Sequence, residues 1–366
     1  MTNKPKIIIS VNDFLVGGAQ KLIVDQLEYF TNRGYSIELI TLMDFPNRAN
    51  LYDSINPKVK IHKIKLKSSF DIFGWIRLFK VLQKTKPNVV FSHLFLSNMM
   101  TRVISFFISL RVFTVEQNTY KNKDIKSIFI DRLLSSRSEK IISVSNEVKD
   151  FTIIQQKIKP DKCIVIPNGV NVSVIEEFKK TISKEESRIK KNIDINTKVF
   201  ISVARLTPQK NLPLLIESFI DFHSRNLNTM LIMLGGGGEY EKLKTKIGRE
   251  NAEGYIKMMG NVSDVYTYCR SADFLISTSY IEGLSIAFLE ALSFGLPIIS
   301  TKTGGTGVLI KDGVNGFIIS DFKKDSVIEA IDRAMLANYD NLSKEALVVS
   351  KDFSVDETSK KYEALI

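Results

Sequence analysis

The sequence predicts an α/β protein made of two doubly wound, Rossmann-like domains facing each other across a cleft. Three observations carry that expectation. Short apolar runs alternate with helix-length segments along the whole chain. The alternation restarts after a polar, charged stretch at residues 176–196. A length of 366 residues exceeds what one ordinary core organises. The expected domains are therefore residues 1–175 and 190–345.

In the first half, strands are expected at residues 6–11, 35–42, 60–66, 88–93, 111–117, 140–145 and 163–169, with helices between most of them. Gly34 is placed to stop the first helix. In the second half, strands are expected at 198–205, 229–235, 255–260, 273–279, 297–301 and 316–320. Such sheets place a ligand crevice at the carboxyl ends of their strands.

Composition narrows the class. Hydrophobic residues make up 44% and charged residues 25%, a globular balance. Cys163 and Cys269 lie far apart and outside any metal-ligand spacing, which points to a reducing compartment without a disulfide framework. The start of the chain enters a strand at once, without a signal-peptide pattern. Residues 93–110 are apolar but interrupted by polar residues and Arg102, so a buried helix is expected rather than a membrane span. A cytoplasmic protein is the result.

The net charge is +11, and its placement is uneven. Residues 1–180 hold 28 Lys and Arg against 16 Asp and Glu; the remainder holds 23 against 24. The first half therefore suits something anionic, such as a phospholipid surface, a lipid diphosphate or an acidic glycan, although solubility charge satisfies the count equally. Nucleic acid is not among the expected partners. Residues 71–84 put Ile72, Trp75, Ile76 and Phe79 on one helical stripe; a core-facing helix is favoured there over an interfacial one.

The chemistry-bearing segments lie at strand ends. Residues 277–297, STSYIEGLSIAFLEALSFGLP, lead from a strand through Glu282, Gly283 and Leu284 into a helix from about Ser285 to Phe294. The unpaired N–H groups and positive dipole of that helix start suit a diphosphate, and Gly283 permits its close approach. Glu290 follows roughly 8–9 Å along the helix, at 1.5 Å per residue. It is within range of a ribose while Glu282 faces a sugar; a structural helix glutamate satisfies the spacing too. At 203–211, VARLTPQKN, Arg205 and Lys210 can both neutralise a diphosphate, or cap a loop and sit in solvent. Gly17 and Gly18 open the first helix, where a glycine pair serves a ligand or simply a turn.

Together these segments resemble the large retaining glycosyltransferase family 4, also called glycosyl transferases group 1, whose two Rossmann-like domains form the GT-B fold. The resemblance covers nearly the whole chain. It rests on EGLSIAFLE, EALSFGLPIIST with Gly304-Gly305, Arg205-Leu206 with Lys210-Asn211, Gly17-Gly18, SVSNEV at 143–148 and IPNGV at 166–170.

The resemblance implies that Arg205 and Lys210 bind the donor diphosphate, Glu290 the ribose and Glu282 the transferred sugar. Gly283, Leu284, Ser285, Gly304 and Gly305 complete the cradle, and Val262 belongs to a base-contacting loop. Gly17 and Gly18 close over the donor, and a C-terminal helix at about 350–366 packs back on the first domain. It also implies retention of anomeric configuration, with the departing diphosphate helping to deprotonate the acceptor.

Two departures stand out. Where many members carry a histidine near the sugar, VEQNTY offers Gln117, which hydrogen-bonds but does not titrate. Val308 stands near a frequent acidic position. His93, at a strand end, is an acceptor-side candidate, with a structural role equally served. No D-x-D occurs, so neither a metal nor any other cofactor is expected, and His62 and His223 take no role. The function expected is transfer of a hexose or N-acetylhexosamine from a UDP-sugar to a saccharide, lipid-linked, in bacterial surface polysaccharide biosynthesis. That places the protein at the inner face of the cell membrane. Alternatives are a UDP-sugar epimerase and a catalytically silent glycosyltransferase-like partner; a nicotinamide dehydrogenase is disfavoured for want of G-x-G-x-x-G.

Overall fold

The computed structural model describes residues 4–119 and 124–366. The chain divides into two compact units, Met1–Gly169 with Val355–Ile366, and Val170–Ser354. Every strand read from the sequence is present.

The first unit holds β1 (Lys6–Val11), β2 (Ser36–Thr41), β3 (Lys60–Lys63), β4 (Val89–His93), β5 (Val112–Glu116), β6 (Lys140–Ser143) and β7 (Cys163–Val165). Its helices are α1 (Gly18–Asn32), α2 (Ile72–Thr85), α3 (Phe95–Ile104), α4 (Ile125–Leu134) and α5 (Asn146–Gln155). The strands form one parallel sheet in the order β3-β2-β1-β4-β5-β6-β7. Helices cover both faces, so strands such as KIIISV are apolar on both sides. Gly34, at φ +77°, ends α1 as expected.

Ile8, Ile40, Val90 and Val112 pack on one face of this sheet against Leu78 and Leu82 of α2 and Met100 and Ile104 of α3. The stripe read on α2 divides. Trp75 and Phe79 lean on this core, whereas Ile72 and Ile76 are exposed. The core row is instead Gly74, Leu78 and Leu82, at helical spacing. Residues 93–110 contain the short, largely buried α3, and no helix among the described residues is long and apolar enough to cross a membrane.

The second unit opens with α6 (Val172–Thr181) and α7 (Lys184–Lys190), so the polar stretch at 176–196 is largely helical. Ser183 and Glu186 form a capping box that starts α7. Then come β8 (Lys198–Val203), α8 (Leu212–Arg225), β9 (Thr229–Leu234), α9 (Tyr240–Arg249), β10 (Ile256–Gly260), α10 (Val265–Ser271) and β11 (Phe274–Ser277). They are followed by α11 (Ile286–Ser293), β12 (Ile298–Thr301), α12 (Thr306–Leu309), β13 (Gly316–Ile319), α13 (Lys324–Leu336) and α14 (Tyr339–Lys351). The sheet is parallel, ordered β10-β9-β8-β11-β12-β13.

Phe200, Phe219, Phe222 and Phe274 centre its core, with the Phe200 and Phe274 rings stacked 5.4 Å apart. A buried ion cluster fastens α7 to the sheet. Asp273 accepts from Arg188 at 2.8 Å, Lys184 at 2.8 Å and the Val199 N–H at 2.7 Å.

The chain then returns to the first unit as α15 (Val355–Glu363). Glu363 accepts from the hydroxyls of Tyr29 and Tyr35 at 3.1 and 2.7 Å, and Tyr362 meets Phe91 edge-on at 5.0 Å. Arg111 donates to the Leu365 and Ile366 carbonyls.

Candidate functional site

Strand order reverses in the second unit between β8 and β11, which pair through Phe200 with Phe274 and Ile201 with Leu275. Loops leaving the two strands in opposite directions open a crevice at that point. The β8 loop carries Arg205 and Lys210; the β11 loop carries Glu282 and runs into α11.

Backbone and side-chain bonds stitch these loops together. The Tyr280 N–H donates to the Gln209 carbonyl at 2.9 Å, and the Gln209 amide donates to the Ile281 carbonyl at 2.7 Å. The Thr278 hydroxyl reaches the Asn211 carbonyl at 2.9 Å. Asn211 takes a left-handed φ of 48°, turning the chain from the Lys210 turn into α8. The Lys210 ammonium is thereby held 2.5 Å from a Glu282 carboxylate oxygen, which also accepts from the Ser279 hydroxyl at 2.8 Å. Arg205 is exposed beside them in sequence.

Glycines let three further loops crowd this edge. A Cβ on Gly305 would sit 2.0 Å from the Gly283 carbonyl oxygen, so the turn before α12 lies backbone-on-backbone against the start of α11. That brings Gly304 and Gly305 to Glu282, Gly283, Leu284 and Ser285. A Cβ on Gly235 would lie 2.0 Å from the Ala204 oxygen, and one on Gly237 2.3 Å from that of Leu206. Gly236 packs on the Asn261 side chain next to Val262, which is half-buried. The four-glycine run 235–238 therefore joins the Arg205 loop to the Val262 loop. In the sequence pattern Gly235 marks only a strand end; the glycine run itself is the signal for this contact. Ser279 and Gln209 carried no motif and became visible only through these bonds.

Ser285 starts α11 with no side-chain capping bond and no acidic residue in the first turn. The positive end of the helix dipole is therefore not neutralised from within. Glu290 is largely sealed, at 5% exposure, and accepts from the Tyr266 hydroxyl at 3.4 Å. Val308 stands exposed on α12.

The first unit carries the remaining candidates. Gly17, in extended backbone, precedes α1 and Gly18 begins it, again with no side-chain cap. Asp13 orders the preceding loop by accepting from the Leu15 N–H and the Gln20 amide, both at 3.2 Å. Gln117, just past β5, accepts from the Asn168 amide of IPNGV at 3.1 Å, and its own amide nitrogen has no partner among the described residues. The amide oxygens of Asn118, just past β5, and Asn98, on α3, and the Ser143 hydroxyl at the end of β6 likewise have no partner among the described residues. VEQNTY extends to Tyr120, which lies outside the described residues.

His93 corrects an expectation. Read as an acceptor-side candidate, it has no exposed surface, and neither ring nitrogen has a hydrogen-bond partner among the described residues. Burial drives its pKa down to about 3, holding the ring neutral. The cause is its place as the last residue of a central strand, flanked by Val11 of β1 and Val115 of β5.

Among the described residues, no three His, Cys, Asp or Glu side chains gather to hold a metal ion. Chemically, the second unit's edge joins a helix amino end, an exposed guanidinium and an ammonium already paired with a carboxylate. Such an edge can bind a phosphorylated ligand and contact a neighbouring group with the carboxylate.

Comparison with known proteins identifies the family and the fold. The family Glycosyltransferase Family 4 matches residues 16–174, and Glycosyl transferases group 1 matches residues 183–347. The chain is 28% identical over 336 residues to the UDP-Gal:alpha-D-GlcNAc-diphosphoundecaprenol alpha-1,3-galactosyltransferase of Escherichia coli, covering 87% of this chain and 85% of that protein. It is 22% identical to one component of the phosphatidylinositol N-acetylglucosaminyltransferase of Arabidopsis thaliana, over 92% of this chain and 76% of that one. Its fold is shared with Anabaena Alr3699/HepE, solved in complex with UDP, at a TM-score of 0.82 and 17% identity over 98% of this chain and 99% of that one. With both halves matched and the GT-B fold in place, this chain belongs to the family 4, or group 1, glycosyltransferases.

Proposed function

We propose that the protein transfers a hexose or N-acetylhexosamine from a UDP-sugar to a lipid-linked saccharide, with retention of configuration, in the assembly of a bacterial surface polysaccharide. The observation that carries this is the second unit's edge, where Lys210 and Glu282 meet on the loops that lead to α8 and to the uncapped start of α11, with Arg205 exposed on the same β8 loop as Lys210. A nucleotide diphosphate fits it: the cations and helix N–H groups take the phosphates, Glu290 the ribose, and the Val262 loop the base. The E. coli relative is named for a UDP-galactose donor and a diphosphoundecaprenol-linked acceptor; the proposal extends those two chemistries to this chain.

In the reaction, the bond from the anomeric carbon to the diphosphate oxygen breaks and a bond to the acceptor oxygen forms on the same face of the sugar. The acceptor's proton passes to the departing diphosphate. Arg205 and Lys210 stabilise the charge that develops on that leaving group, the duty a divalent cation would otherwise perform. Transfer should therefore persist in EDTA. Gln117, whose amide N–H has no partner among the described residues, is suited to a sugar hydroxyl. The basic excess of residues 1–180 suits an anionic inner membrane surface.

The test is thermal unfolding against a panel of nucleotide sugars, followed by donor turnover with the best stabiliser. Stabilisation by UDP-sugars above other nucleotides, with sugar transfer, is expected. Absence of any donor consumption would overturn the enzymatic reading in favour of a catalytically silent partner.

A further inference from the structure

Two aromatic side chains lie open on the carboxyl edge of the second unit's sheet. Tyr280 sits in the loop after β11 and Phe322 in the loop after β13, at 47% and 45% exposure. Every other Phe and Tyr of that unit is buried or half-buried. The two rings touch, with centroids 4.8 Å apart and planes tilted by 53°. Removing such rings from water is favourable, so a pair held open at the edge where these sheets take their ligands marks a contact surface.

Backbone bonds hold the pair in place. The Tyr280 N–H is fixed on the Gln209 carbonyl, and the Thr301 hydroxyl at the end of β12 donates to the Ser279 carbonyl at 2.6 Å. On the other side, the Asp321 carboxylate accepts from the Lys323 N–H at 2.9 Å, which orders the turn carrying Phe322. Because β12 lies between β11 and β13, the rings meet past its end. Tyr280 is two residues from Glu282. Lys210 approaches Glu282 from the β8 loop, and the aromatic pair extends away from it, toward β13.

A sugar ring suits this surface. One face of a pyranose presents C–H bonds, whose polarised hydrogens settle on the negative face of an aromatic ring. Its hydroxyls need polar partners at the rim, which Lys302, exposed just past β12, and the half-buried Asp321 supply. We infer that Tyr280 and Phe322 form a stacking platform for a sugar ring of the acceptor saccharide, beside the carboxylate proposed for the donor sugar. The acceptor role rests on the transfer reaction proposed above; saccharide binding by the rings does not.

The experiment is saturation-transfer NMR of the full chain, in the presence of UDP, with the methyl glycosides of glucose, galactose, N-acetylglucosamine and N-acetylgalactosamine. At least one glycoside should receive saturation on its ring C–H protons. Tyr280→Ala and Phe322→Ala should each weaken that binding by about tenfold, whereas Tyr280→Phe and Phe322→Tyr keep it. UDP affinity, read by calorimetry, should not move, because the Tyr280 bond to Gln209 is made by the backbone. In steady-state transfer the alanine variants should raise the acceptor KM and not the donor KM. A raised donor KM would give the rings to the donor sugar and overturn the inference. So would a wild-type protein that binds none of the glycosides, or alanine variants that bind them as well as wild type. Glycoside binding through the rings in a protein that consumes no donor would sink the functional reading and leave the platform standing.

Discussion

Lys210 and Glu282 lie 72 residues apart in sequence, yet their ammonium and carboxylate meet at 2.5 Å. The pair is mostly enclosed, with side-chain exposures of 18% and 11%, and Ser279 supports the carboxylate from the other side. A cation proposed for the leaving group and a carboxylate proposed for the sugar are thus pre-positioned on each other. A ligand with its phosphate on one and its hydroxyls on the other would exploit that spacing without moving either loop.

Removing either member should separate the two roles. Lys210→Ala should lower turnover by about 10²–10³-fold, the usual cost of losing a donor to developing charge, with an unchanged circular dichroism spectrum. Glu282→Gln frees the ammonium from its counter-charge. It should therefore tighten UDP binding, by roughly fivefold or about 1 kcal/mol, while slowing transfer. Near-normal transfer in Lys210→Ala, or weaker UDP binding in Glu282→Gln, would place the diphosphate elsewhere.

Gly305→Ala tests the backbone contact that assembles the cradle. The new methyl would stand 2.0 Å from the Gly283 oxygen, which cannot be accommodated without moving the start of α11. Calorimetry should show UDP affinity reduced by about tenfold or more, since helix N–H groups displaced by even a fraction of an ångström no longer converge on the phosphates.

His93 should leave a signature in the pH dependence of stability. Its folded pKa of about 3 lies below its ordinary value. Between roughly pH 6.5 and 3 the unfolded chain therefore binds a proton that the folded chain refuses. Stability should fall with acidification across that window, with a His93 share of up to about 1.4 kcal/mol per pH unit. Above it the residue contributes no slope. Urea titrations at several pH values should show a shallower acid slope in His93→Gln; identical slopes would mean that the ring is hydrated.

Asp273→Ala should be among the most destabilising single changes in the second unit. It strips the carboxylate from Arg188, which keeps only 6% of its side-chain surface, and from Lys184. Leaving a buried cation unpaired costs about 3–5 kcal/mol, to be read from the urea midpoint.

Much of this architecture was legible in the sequence because apolar runs and glycine stops report local periodicity directly. KIIISV, NVVFSH and KVFISV are strands for the reason expected, and Gly34 and Gly295 take positive φ where they end helices. What a linear pattern cannot express is which neighbour a residue meets. His93 is acceptable at a strand end, but only the sheet order, with β1 and β5 on either side, buries it. Ile72 and Ile76 share a helical face with Trp75 and Phe79, yet the core reaches only part of that face. The Lys210 and Glu282 motifs were both visible; their direct contact was not, because it depends on the Gln209 and Asn211 bonds between loops.

The helix α15 makes the first unit discontinuous, because all of Val170–Ser354 is threaded between its parts. During synthesis, the sheet face on which Tyr362 later meets Phe91, and the tyrosines that later bind Glu363, must wait bare until the second unit has emerged from the ribosome. Residues 1–169 made alone would keep that apolar floor open to solvent. The last helix is thus a late lock, and a nascent first unit is the stage of this protein's life most in need of a chaperone.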